Sequence, residues 1–343
     1  MSRASRSAGA RLRAHAPGRV NLIGDHTDYS GGLVLPCAID RGTTVEGVCG
    51  GVWVRLCSRE CEGEARIPLA VDDSSRLRPA WARYAAGVVC ELRPPLGFDG
   101  EIRSTLPIAA GLSSSASLTV ALALALGFEG PSLELARLCQ RAEQRASGVP
   151  CGIMDPLVVA ASVEGCALRI DCASLTLTPV RIPEALEIRV LHSGVSRRLA
   201  GSEYAQRRAQ CEAAAACVGP LRRARLRDLD RIEDPVLRRR ARHVVTENAR
   251  VDAFVAALRG GDLLAAGALM LESHRSLRDD FEVSSAPLDR LVERLSSIPG
   301  VLGARLTGAG FGGCVVALCE HGALEEGWGV RPSRGARWLA DFG

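Results

Sequence analysis

Four short segments of this 343-residue chain hold residues able to do chemistry. The first, APGRVNLIGDHTDY from Ala16 to Tyr29, gathers Asp25, His26 and Asp28 within four residues at the end of a β-like run. Two carboxylates and an imidazole bunched in this way suit several hydroxyls of one small polyol. An Asx-type turn, whose carboxylates bind only backbone N–H groups, accounts for the same residues, and local chemistry alone favours it. A metal fits His26 and Asp28 poorly because no third ligand is evident. The second segment, LPIAAGLSSSAS from Leu106 to Ser117, places three serines after Gly111 where a helix should begin. A helix start has free N–H groups and a positive dipole end, both favourable to phosphate. A plain serine cap needs one serine, not three, so the anion site is the preferred reading. The third segment, LTGAGFGGC from Leu306 to Cys314, is too glycine-rich for a tight hairpin and marks close backbone packing against a ligand or another loop. In the fourth, Cys151 to Pro156, Asp155 followed by Pro156 reads as an N-cap and first helical residue. An aspartate on a short turn beside a phosphate cradle is also placed to act as a general base. Glu143, on a predicted helix twelve residues earlier, can reach the same cleft.

Hydrophobic patterning supplies the strands and helices that carry these residues. Strands are predicted over 19–23, 33–39, 43–48, 52–57 and 101–104, with a helix over 81–92 interrupting them. Helices follow over 115–126, 132–145 and 156–161, then strands over 167–171 and 187–192. Residues from about 204 to 295 read as mostly helical, and strands return over 304–307 and 314–319. This non-alternating order predicts an α+β fold rather than a doubly wound sheet. A division near residue 170 gives two domains, 1–170 and 171–343. The arginine-dense stretch 221–242 has Asp228, Asp230, Glu233 and Asp234 interleaved and no aromatic to stack a base, so it reads as a solvated face and not a nucleic-acid site.

Composition narrows the chemistry. Hydrophobic residues make up 47% of the chain, enough for a sizeable core, and the net charge of +4 is too small to imply a nucleic-acid or membrane partner. All 43 basic residues are arginine. A Walker-A loop, a protein-kinase strand lysine and Schiff-base catalysis are thereby excluded. The 13 cysteines form no CxxC pair and lack histidine partners at zinc-site spacing. Reduced thiols, a basic N-terminus without an apolar h-region and no membrane-length apolar run give the expectation of a cytoplasmic protein.

In this order the segments resemble the GHMP small-molecule kinases and, within them, the galactokinases. The first is similar to the galactokinase signature, the second to the GLSSSA motif, and the third to the C-terminal glycine motif. Further similar stretches are AGSEYAQRR at 200–208 with Cys211 and Glu212, HVVTEN at 243–248, and SHRSLRDDF at 273–281. The resemblance covers nearly the whole chain from about Ala16. It implies an N-terminal domain like domain 2 of ribosomal protein S5, and a C-terminal α+β domain with an antiparallel sheet. It also implies transfer of the ATP γ-phosphoryl to the C1 hydroxyl of galactose, with the site between the two domains. Asp155 would then be the base and Arg19 its charged neighbour. Asp25, His26, Thr27, Asp28, Gly152 and Tyr204 would hold the sugar. Ala109, Gly111, Leu112, Ser113, Ser114 and Ser115 would cradle the phosphates, and Ser115 with Glu143 would hold Mg²⁺. The expected partners are the sugar and ATP alone, and the expected state is a monomer.

Three residues depart from the family pattern. Asp25 stands where galactokinases usually have glutamate, at the position that meets the sugar C6 hydroxyl. Ala109 replaces a glycine of the phosphate loop, and Pro156 replaces the glutamine after the catalytic aspartate. Because of Asp25, a GHMP kinase for another sugar, such as N-acetylgalactosamine or arabinose, is the nearest alternative. A non-enzymatic sensor of sugar and ATP is a further one, which intact Asp155, Arg19, Ser115 and Glu143 argue against.

Overall fold

The computed structural model describes residues 7–107, 111–195 and 200–339. Ala109 lies outside them. The first sheet is built around β1 (Arg11–Asn21), which alternates buried Leu12, Ala14 and Ala16 with more exposed Arg11, Arg13 and His15. After β2 (Leu33–Val34) comes β3 (Pro36–Cys49), which pairs antiparallel with β1 along most of its length. The register shifts between Pro17 and Arg19, where the proline cannot donate to the ladder. β4 (Trp53–Ser58), β5 (Glu64–Pro68) and β6 (Phe98–Ser104) complete this sheet, with β4 and β6 parallel to each other.

One face of the sheet is covered by α1 (Ala82–Leu92), α2 (Ser114–Ala125), α3 (Ser132–Ser147) and α4 (Met154–Ala161). Nine of the twelve residues of α2 are buried, which explains its apolar character all round. Phe98, Val54 and Ile67 of the sheet pack with Val89, Val120 and Leu157 of the helices. The opposite face carries a lattice of ion pairs, Arg13–Glu46–Arg103–Glu101 and Arg55–Asp99, which being exposed contribute little stability.

Beyond these helices lie β7 (Cys166–Asp171), β8 (Thr176–Arg181) and β9 (Leu186–His192). Four helices follow: α5 (Ala200–Val218), α6 (Pro235–Gly260), α7 (Leu263–Asp279) and α8 (Ala286–Ser296). Asp234 caps α6 by accepting from the N–H groups of Val236 and Leu237, and Pro235 occupies its first turn. β10 (Val301–Thr307), β11 (Cys314–Glu320), β12 (Trp328–Val330) and β13 (Arg337–Trp338) close the chain. A four-stranded antiparallel sheet runs β10-β11-β9-β12, a three-stranded one β2-β7-β8, and β13 joins the first sheet beside β1. The pairing of β1 with β13 and that of β7 with β8 therefore cross the expected division near residue 170. No helix among the described residues is long and apolar enough to cross a membrane.

The α+β class stands, as do the long helices. The predicted strands 33–39 and 43–48 are largely one strand, because the chain stays extended through Asp40 and Arg41, at the register shift opposite Gly18, rather than turning. Patterning does not reveal β5 and β8, since their short polar-alternating sequences carry little hydrophobic signal. The tip of β1 links the two halves of the molecule. Val20, Leu22 and Ile23 leave the first core and enter a second one, against Val251 and Phe254 of α6 and Val316 of β11.

Candidate active site

Immediately after Ile23 the chain turns sharply. Gly24 and His26 both adopt positive φ, 96° and 64°, and the second is costly for a residue with a Cβ. A short 3₁₀ turn, Asp28–Ser30, ends the reversal. Beside it, a cavity of about 250 Å³ is lined by Arg19, Asp25, His26, Asp28, Ser115, Glu143, Gly152, Asp155 and Tyr204, with Gly308 and Ala309 of the glycine-rich loop. The first nine of these, from five separate sequence regions and each expected on the sequence, thus meet in one place.

Asp155 and Arg19 form its centre. Arg19 donates through Nε to Asp155 Oδ1 at 2.7 Å and through Nη2 to Oδ2 at 2.6 Å, a bidentate charge-assisted pair. The third guanidinium nitrogen, Nη1, donates to the Gly111 carbonyl at 2.7 Å. Ser113 donates to Asp155 Oδ2 at 2.5 Å. Asp155 is not the N-cap expected from the Asp-Pro pair: Ile153 holds that position and Asp155 lies inside the first turn of α4. Its side chain therefore reaches across to Arg19 instead of folding back on the helix.

The serine loop divides its labour. Ser113 has left-handed backbone angles, φ 58° and ψ 45°, and no side chain caps α2, so the N–H groups at its start are not consumed by a serine. Ser115 donates to Glu143 Oε2 at 2.8 Å, while the buried Glu143 Oε1 has no hydrogen-bond partner among the described residues. Burial, reinforced by the negative charge of Asp155, pushes the Glu143 carboxyl up to about 8. Leu112 is turned away from the cavity: its side chain is buried in the second core, and its carbonyl accepts the Arg19 backbone N–H. Ser114 and Ser115 instead line a neighbouring, more apolar cavity of about 300 Å³ with Trp81, Tyr84, Leu106 and Leu118. The two cavities share Tyr84 and Ser115.

The sugar-turn residues are less uniform than expected. Asp25 is buried, with Gly308 N–H donating to Oδ1 at 3.1 Å and Arg305 Nη2 2.6 Å from Oδ2. Burial raises its carboxyl, against the pull of Arg305 and Arg19. His26 Nε2 faces the Ala309 carbonyl at 3.2 Å, and Nδ1 faces the Tyr29 hydroxyl at 3.0 Å. Both ring nitrogens are engaged within the protein. Thr27 does not line the cavity, since its hydroxyl donates to the Gly24 and Leu33 carbonyls and ties the turn shut. Asp28 accepts from the backbone N–H groups of Tyr29 and Met154, and enclosure together with the Asp155 charge raises its carboxyl to about 6. Gly152 packs so closely that a Cβ there would lie 1.5 Å from Asp28 Oδ2.

Sequence reasoning missed Arg305. It is fully buried and is the single charged residue of the otherwise apolar β10, VLGARLT. That isolation in a buried strand was the available signal.

The family models match in the same order as the site residues. Residues 5–47 match the galactokinase galactose-binding signature, 81–165 the GHMP kinases N terminal domain, and 254–328 the GHMP kinases C terminal. The galactokinase of Bos taurus is 45% identical over 332 residues, covering 91% of this chain and 84% of its own. The chain belongs to the galactokinase family. Other galactokinases are similarly near: that of Homo sapiens at 44% identity, and that of Chloroflexus aggregans at 43% over 94% of this chain. The structure of Lactococcus lactis galactokinase complexed with galactose matches with a TM-score of 0.89 at 31% identity, over 96% of this chain and 95% of that one. A Methanococcus jannaschii mevalonate kinase, at 20% identity and TM-score 0.68, shares the fold. The two-domain GHMP kinase architecture expected for galactokinases is thus the architecture observed.

Proposed function

We propose that the chain transfers the γ-phosphoryl group of ATP to the C1 hydroxyl of galactose, with Asp155 as general base. The observation that carries this reading is the Arg19–Asp155–Ser113 constellation at the wall of a cavity that opens beside the galactose-binding signature. A carboxylate offers about four acceptor sites. Arg19 Nε uses one on Oδ1, while Arg19 Nη2 and Ser113 use two on Oδ2. The remaining site, on Oδ1, is available to take the sugar hydroxyl proton as the oxygen attacks phosphorus. Arg19 orients that carboxylate before transfer and sets positive charge beside the phosphoryl group during it.

ATP fits the two joined cavities, its base in the apolar one among Trp81, Tyr84 and Leu118, its phosphates over the uncapped start of α2. Ser115 and Glu143 suit Mg²⁺: a hard cation takes one carboxylate and one hydroxyl, with substrate phosphates and water completing its shell. Glu143 Oε1, buried and without a hydrogen-bond partner among the described residues, fits such a ligand. When bound, Mg²⁺ supplies charge that offsets the phosphates. No lysine is needed anywhere in this arrangement.

Asp25, Asp28 and Tyr204 would take the sugar hydroxyls. ADP release measured over a panel of aldoses tests the assignment. Galactose should give the highest kcat/KM; preference for N-acetylgalactosamine or arabinose would overturn the substrate, and binding without any turnover would leave a sensor. The Asp28 carboxyl supplies a pH signature. The charges facing it are Asp25 on its own turn and Asp155 on α4, both raising it, and Arg208 on α5, while N–H groups of Tyr29 and Met154 lower it. Below about 6 it is protonated, and above that it accepts from sugar hydroxyls. Galactose kcat/KM should therefore rise with pH through about 6 and level off, and D28N should remove that break.

A further inference from the structure

The stretch HVVTEN at 243–248 touches neither cavity, yet three of its six side chains turn to one place. His243 Nε2 lies 3.0 Å from the Asp25 carbonyl. A carbonyl only accepts, so Nε2 carries the proton, and Nδ1 accepts from the Ser276 hydroxyl at 2.9 Å. Glu247 Oε1 accepts from Gly24 N–H at 2.9 Å and from the Ser273 hydroxyl at 2.5 Å. Its other oxygen is paired with Arg250 at 2.7 Å. Asn248 Oδ1 accepts from Leu33 N–H at 2.7 Å. His243 and Glu247, four residues apart, share one stripe of α6, Asn248 lies next to it round the helix, and all three are buried.

The backbone groups they hold belong to Gly24, Asp25 and Leu33, the entrance and exit of the sugar turn. Between them lies His26 with its positive φ. A side-chain-bearing residue keeps that conformation only where its surroundings enforce it. Gly24 and Gly32 record how tightly α6 is pressed against the turn: a Cβ would lie 3.0 Å from Val251 Cγ2 at the first and 2.7 Å from Asn248 Oδ1 at the second.

We propose that His243, Glu247 and Asn248 are positioning residues for the sugar, fixing the backbone of the turn from behind so that Asp25 and Asp28 meet their ligand correctly. The assignment rests on the sugar-binding reading of that turn. It places the fine control of galactose affinity on a helix that contacts no substrate. The nucleotide side is held by α2, α3 and the serine loop, so ATP affinity is independent of α6.

Steady-state kinetics of E247A, H243A and N248A, each with galactose and ATP varied in turn, test this. An unpaired buried donor or acceptor in the turn should raise the galactose KM by roughly tenfold or more, with kcat lowered less than about threefold and the ATP KM unmoved. E247Q keeps an acceptor for Gly24 and Ser273 and should return the galactose KM to within about fivefold of the parent. Parallel rises in both KM values, a fall in kcat alone, or a lower Tm with unchanged galactose KM would each overturn the proposal. So would failure of all three variants to fold, which would make the face a scaffold for the whole chain. D28N distinguishes failure of positioning from failure of the sugar-turn reading. If D28N raises the galactose KM and the α6 variants do not, positioning by α6 is wrong; if D28N also leaves it unmoved, the sugar-turn reading itself fails.

Discussion

Asp155→Asn should lower kcat by about 10²–10⁴-fold while leaving the galactose KM within a few-fold of the parent. Asparagine keeps the shape of the carboxylate but has no basic oxygen, so the sugar hydroxyl loses its proton acceptor. It also removes the charge facing Arg19, which is 4% exposed and whose other nitrogen is committed to the Gly111 carbonyl. Leaving that guanidinium without its anion should cost about 1–3 kcal/mol of stability, less than for a sealed pair because Asp155 retains 30% exposure. Kinetics should therefore be run well below the variant's Tm. Substantial turnover in folded D155N would reduce Asp155 to a structural partner of Arg19 and remove the proposed base.

Gly152→Ala should act on the sugar instead. The glycine is not in the left-handed region, so the backbone accepts alanine, and Gly→Ala by itself adds about 0.4–1 kcal/mol by restricting the unfolded chain. The added methyl, however, would lie 1.5 Å from Asp28 Oδ2 and 2.4 Å from its Cγ. Asp28 has a short side chain, and moving its carboxylate out of the way of the methyl would displace it from the position it holds in the cavity wall. The galactose KM should rise by about 10–100-fold with a nearly normal Tm and an ATP KM close to the parent's. Unchanged galactose affinity would show that Asp28 does not contact the sugar.

The residues proposed to do the chemistry are legible because their types are scarce and clustered: Asp25 to Asp28, three adjacent serines, four glycines within six residues. Their partners were harder to read. Asp155 looked like a helix cap because Asp-Pro satisfies the local rules for one, and nothing local reveals an arginine 136 residues away. Thr27 and Leu112 sit within motifs whose neighbours face the cavity, yet the turn consumes the Thr27 hydroxyl and the core takes the Leu112 side chain. Arg305 is the lone charge of its strand, and Glu247 is one charge among many on α6. Their meaning depends on what is buried opposite them, which hydrophobic periodicity does not encode. Strand boundaries failed where outward-facing polar residues, Arg11 to His15 in β1, diluted the alternation.

The reach of the contacts also sets when the site comes into being. Arg19 and Asp155 are 136 residues apart, and Asp25 meets Gly308 across 283. A chain being synthesised has the base, its arginine and Glu143 once residue 155 has been made, and the first helical layer can pack around them. The turn that would receive the sugar still lacks α6, Arg305 and the glycine loop, all of which come later. Closing such long loops is entropically slow, so the sugar turn is among the last parts of the molecule to take its final shape. Catalytic competence therefore requires both halves of the chain, because the sugar turn is completed only by residues from position 243 onward.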